Sequence, residues 1–135
     1  MKLLVDSNIL VAASIFPHGV SAKAYNKAFD GKEFSVVVCT YSIGEFLNTC
    51  DKKFSIRMPE IQSFLSDMLS KAELIRTPPE SEKVPEEELI RDIKDRPVLR
   101  AAVAANVDII VTGDKDFLEA HLTNIKTISP ADFIK

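Results

Sequence analysis

The 135 residues carry a formal net charge of −3, with 46% hydrophobic and 27% charged residues, an ordinary balance for one globular domain spanning 1–135 with a real core. No apolar run approaches the roughly 18 residues of a membrane span, and Asp6 interrupts the N-terminal stretch before it can resemble a signal peptide. A slightly acidic chain has no overall nucleic-acid footprint, so a polyanion would have to be met locally or through metal ions.

Residues 3–5, Leu-Leu-Val, read as a buried strand that ends on Asp6. Apolar residues at 9, 10, 12, 13 and 16 then suit a helix, stopped by Pro17-His18-Gly19. Ser21 is expected to cap a second helix over AKAYNKAF, ending at Asp30-Gly31. FSVVVC (34–39) is a β-branched run of strand length, and Thr40 or Ser42 begins a helix through roughly Asp51, with Ile43, Phe46 and Leu47 on one face. Pro59 suits a first helical position, and Ile61, Phe64, Leu65, Met68 and Leu69 follow at helical spacing. ELIRT (73–77) is a short strand, and the acidic, Pro-rich 78–88 reads as a surface loop. Pro97 opens an alanine-rich helix, DIIVT (108–112) and KTI (126–128) are strands, and Ser129-Pro130 starts a terminal turn or helix. Cys39 and Cys50 match no metal or redox spacing; Cys39 is expected as a small core residue, and a reducing cytoplasm is the expected compartment.

This alternation predicts an α/β three-layer sandwich, a central, mainly parallel sheet flanked by helices. Ligands of such sheets sit beyond the carboxyl ends of the strands, near a switch in strand order. Asp6 and Asp114 follow two apolar strands, the second after a Thr112-Gly113 step expected to give a tight turn. Glu45 lies about one turn into the helix after the Cys39 strand, and Asp95 stands just before Pro97. Each has an ordinary alternative: Asp6 and Asp95 as helix caps, Glu45 as a solvated helix residue, Asp114 as a turn aspartate. Capping, however, does not require four acids to converge on one rim, whereas a hard divalent cation does. Mg²⁺ and Mn²⁺ prefer oxygen ligands and support phosphodiester hydrolysis without a nucleophilic side chain. His18 and His121 sit in loops outside any Ser-Asp or Cys arrangement, and no GxGxxG or P-loop motif is present.

VDSNILVAA, SIGEF, RDIKDRPVLRAA and VDIIVTGDKDF, in this order and down to the closing TISPADFI, resemble the PIN domain. The chain is similar to the small PIN proteins that form the toxin halves of toxin–antitoxin pairs. The resemblance implies a Mg²⁺- or Mn²⁺-dependent ribonuclease that cuts single-stranded RNA, often as a homodimer, and is neutralised by a small antitoxin. It maps the family's acidic positions onto Asp6, Glu45, Asp95 and Asp114, with Asn8 and Thr112 as small polar supports; Asp92 is the alternative to Asp95, and Asp116 an auxiliary ligand. Lys52, Lys53 and Arg57 beyond the Glu45 helix, and Arg91, Lys94, Arg96 and Arg100 around Asp95, are the cations over which RNA would approach, or else an ordinary solvated face. A PIN-like scaffold that binds without cutting, and a phosphatase- or receiver-like domain, are the rival expectations; the latter lacks its motifs in order.

Overall fold

The computed structural model describes residues 1–135. Five parallel strands form one sheet in the order β3-β2-β1-β4-β5: β1 (Lys2–Val5), β2 (Ser35–Cys39), β3 (Glu73–Ile75), β4 (Ile109–Val111) and β5 (Lys126–Ile128). The central strands are nearly continuous apolar runs because parallel sheets are covered on both faces. Alternation splits them between two cores. Leu3, Val5, Val36, Val38 and Val111 face one cluster, with α1 (Ser7–Ile15), α2 (Val20–Asp30), α3 (Thr40–Phe54) and α4 (Met58–Lys71) packed over it. Leu4, Val37 and Ile110 face the other, covered by Val98, Leu99 and Ala102 of α5 (Arg96–Ala104) and Phe117 of α6 (Lys115–Leu118). A last short helix, α7 (Pro130–Phe133), is capped by Ser129, whose hydroxyl accepts the Asp132 N–H. The result is the expected three-layer sandwich. No helix is long and apolar enough to cross a membrane.

Three local expectations are corrected. Ser21 lies inside α2, whose N-cap is Gly19 with no side-chain bond. Helix α3 runs on to Phe54, so Lys52 and Lys53 form its last turn rather than following it; cations there complement the helix dipole. The 78–88 segment is not simply a surface loop. It contains short 3₁₀ turns at Glu80–Glu82 and Pro85–Leu89, and Glu87 is buried in a two-pronged ion pair with Arg100, with contacts of 2.7 and 3.2 Å. Arg100 also donates to the Pro78 carbonyl at 3.1 Å. That pair fastens the long connection after β3 onto α5, which fixes where the chain re-enters the rim at Asp92 and Asp95.

The sheet order decides where a ligand can sit. From β1 the chain crosses to β2 on one side, while β4 lies on the other, so the carboxyl ends of β1 and β4 flank the switch point. Register brings Val5 opposite Val111, and the Asp6 N–H donates to the Val111 carbonyl at 2.9 Å. The residues that follow these two strands are therefore neighbours.

Candidate metal centre

Asp6 is only 3% exposed, and both its oxygens are held. Oδ1 accepts the Ser7 N–H at 2.8 Å, so the aspartate does cap α1; Oδ2 accepts the hydroxyl of the fully buried Thr112 at 2.8 Å. Thr112 Oγ1 in turn accepts the Asp114 N–H at 3.0 Å. One threonine thereby ties the end of β1 to the turn after β4. No lysine or arginine pairs with Asp6; burial and the Asp114 charge raise its pKa against the two hydrogen bonds, which lower it.

Ser7 makes a second link that sequence reading missed. Its hydroxyl donates to Glu45 Oε1 at 3.3 Å, joining the start of α1 to α3. Asn8, the expected polar support, is exposed instead. The DSN triplet carried the signal, but helical phase decides which of two adjacent polar residues turns inward, and here it is Ser7. Burial, together with the charges of Asp6 and Asp92, raises Glu45, partly offset by the Ser7 bond and by Lys94.

Asp114 caps α6, its Oδ1 accepting the Asp116 N–H at 2.8 Å. No glycine adopts a positive φ, so the turn at Gly113 requires no glycine-only backbone. Asp95 sits at the cap position of α5, yet its side chain makes no capping bond. The capping role in RDIKD falls to Asp92, whose Oδ1 accepts the Lys94 N–H at 3.0 Å across the 3₁₀ turn Ile93–Asp95. Released from capping, Asp95 turns inward against Asp114. Burial, that carboxyl–carboxyl contact, and the charges of Asp114, Asp6 and Asp92 push it up to about 8. Its Oδ2 is buried without a hydrogen-bond partner.

Six carboxylates thus gather at the rim: Asp6, Glu45, Asp92, Asp95, Asp114 and Asp116. Oxygens of Asp92, Asp95 and Asp116 lie within 4.8 Å of one another, so the two residues expected to be secondary stand close to Asp95, as Asp114 does. The donor set is all oxygen, which suits Mg²⁺ or Mn²⁺. An orphaned buried carboxylate oxygen, surrounded by like charge, is the observation that fits a cation here, because buried polar atoms ordinarily have partners. Asp6 and Glu45 are linked through Ser7, and the charge of Asp6 acts on both Glu45 and Asp95.

The surrounding cations are sorted by the fold. Lys52, Lys53 and Lys94 are exposed and outside any ion pair. Arg91, 75% exposed, pairs with Asp116 at 2.9 Å and Glu119 at 3.4 Å. Arg57 pairs with Glu60 at 3.0 Å, and Arg96 donates to the Ile90 carbonyl at 3.0 Å. Arg100 is removed from the expected RNA-facing group, since it is buried against Glu87. Both histidines are exposed.

Residues 2–116 match the family model described as PIN domain. Among solved structures, VapBC2 from Rickettsia felis, bound to a DNA fragment from their promoter, is similar at a TM-score of 0.69 and 18% identity, over 96% of this chain and 98% of that one. PAE2754 from Pyrobaculum aerophilum gives 0.68 and 18%, over 99% and 87%. VapC20 from Mycobacterium tuberculosis, a Sarcin-Ricin loop cleaving toxin, gives 0.63 and 13%, over 91% and 98%. At these identities the likeness is one of fold. Among curated protein sequences, none matches.

Proposed function

This chain belongs to the PIN-domain family, and from that premise we propose that it is a Mg²⁺- or Mn²⁺-dependent endoribonuclease of single-stranded RNA. The observation that carries this reading is the inward-facing Asp95, unpartnered at Oδ2 and crowded by Asp92, Asp114 and Asp116. Asp6, Glu45, Asp95 and Asp114 are proposed as the metal-binding and catalytic acids, with Asp92 and Asp116 completing the rim. A bound divalent cation supplies an activated water and neutralises the charge that builds on the phosphate and the leaving oxygen.

The chain's own residues do the rest. Thr112 and Ser7 each hold one oxygen of Asp6 and leave lone pairs on both free, so the carboxylate is pre-organised before substrate arrives. Ser7 fixes Glu45 from the same helix turn. Lys94, beside Asp92 and Asp95, with Lys52 and Lys53 at the end of α3, provides positive charge for an RNA backbone on a molecule that is otherwise acidic.

In the same reading the protein acts in the cytoplasm as a single-domain toxin, a homodimer restrained by a small antitoxin, a role supported by the fold shared with the VapBC2 and VapC20 structures. The test is cleavage of a single-stranded RNA by the purified protein with Mg²⁺ or Mn²⁺. Metal-dependent cutting supports the nuclease; RNA binding without any cutting would favour a PIN-like binding module instead.

A further inference from the structure

Tyr41 stands in the first turn of α3, one turn ahead of Glu45. Its phenol donates to the Lys94 carbonyl at 2.6 Å, the backbone group between Asp92 and Asp95. Its own N–H donates to Thr77 Oγ1 at 3.0 Å, and the Thr77 N–H donates to Thr40 Oγ1 at 3.1 Å, so the root of the helix is pinned to the segment after β3. The turn it reaches is a three-residue 3₁₀ turn, a weakly bonded unit, with Asp92, Ile93 and Lys94 all exposed. Within that turn the other side-chain contacts are the local bond from the Lys94 N–H to Asp92 and the carboxyl contact of Asp95 with Asp114. The phenol is therefore the strut between two elements that both carry acids of the rim.

We propose that Tyr41 is a positioning residue, whose phenol sets the Asp92–Asp95 turn at the separation from Glu45 that cation binding requires. This rests on reading the rim as a metal centre. Removing an outer group that orients metal ligands typically weakens metal affinity by about 10–100-fold.

The sequence contains its own control. The only other tyrosine, Tyr25, donates a comparable phenol bond to Asp67 Oδ2 at 3.0 Å. That bond joins the middle of α2 to the third turn of α4, two helices that contribute none of the six acids of the rim. Wild type, Tyr41→Phe and Tyr25→Phe are titrated with Mn²⁺, free ion being read by electron paramagnetic resonance, at a temperature where circular dichroism shows each fully folded. Tyr41→Phe is expected to weaken Mn²⁺ affinity about 10-fold, while Tyr25→Phe leaves it within about twofold. A wild type that binds Mn²⁺ alongside an equally tight Tyr41→Phe overturns the positioning role alone. Equal weakening in both variants, or a Tyr41→Phe without a cooperative melt, makes the phenol a general structural support and overturns it too. A wild type that binds no Mn²⁺ overturns the metal-centre reading, and this inference falls with it.

Discussion

Replacing Asp95 by asparagine removes charge from a strongly perturbed carboxyl of the rim while keeping its shape and leaving an amide able to donate to Asp114. Burial and the neighbouring carboxylates hold Asp95 at about 8, against an ordinary 3.8. A folded-state value above the unfolded one means the folded protein binds the extra proton between those two values. The metal-free protein therefore loses stability as pH rises from about 4 to about 8, and the whole cost is present above that window. Each tenfold change in proton affinity corresponds to about 1.4 kcal/mol, but Asp95 is only half-buried, and solvent screening brings the sum down to on the order of 1–2 kcal/mol. Asp95→Asn should raise the melting temperature in EDTA by about 3–8 °C at pH 8, and by far less at pH 4. Saturating Mg²⁺ should narrow or reverse the gap, because ligand binding to the folded wild type stabilises it and the variant has lost a ligand. Melts followed by circular dichroism at pH 4, 6 and 8, with EDTA or Mg²⁺, measure all of this. A variant less stable than wild type at pH 8 in EDTA, or one with the same gain at pH 4 and pH 8, would mean that carboxylate repulsion at Asp95 does not limit stability.

Asp6→Asn and Glu45→Gln should each lower cleavage of a fluorogenic RNA by roughly 100-fold or more, and the double variant should lose little beyond the worse single, since the acids act as one unit; additive losses would separate them. Asp95→Asn should abolish turnover and Asp92→Asn should reduce it modestly, and the opposite ranking in the same assay would transfer the main role to Asp92. Glu87→Gln should destabilise the fold by about 3–5 kcal/mol in urea unfolding, because the Arg100 charge is left buried without its counter-charge. Changing Glu87 and Arg100 together to methionine should recover most of that loss, which distinguishes a buried charge penalty from lost packing.

The sheet was legible because its strands are short β-branched or aliphatic runs, and a parallel sheet buried on both faces leaves that trace in composition alone. The rim was legible for a related reason: Asp6 follows such a run directly and Asp114 after a two-residue step, so the strand ends carry them into place. What stayed hidden depends on packing between distant segments. The acidic stretch around Glu87 looks solvated, and only the position of α5 shows that one glutamate of its run turns inward to meet Arg100. Asp92 and Asp95 are nearly equivalent as letters; the division between a capping and an inward-facing aspartate arises from a 3₁₀ turn held by Tyr41. Likewise Ser7 outranks Asn8 by helical phase, and α6, four residues long, has no periodicity to read.

The end groups left on cut RNA distinguish a metal-activated water from the RNA's own 2′-hydroxyl as the attacking group. Attack by an activated water, rather than by the RNA 2′-hydroxyl, leaves 5′-phosphate and 3′-hydroxyl ends. Cleavage should stop in EDTA, return with Mg²⁺ or Mn²⁺, and yield those ends alone. Fragments ending in 2′,3′-cyclic phosphate, formed while EDTA is present, would contradict the account, for then the gathered carboxylates are not the catalytic machinery.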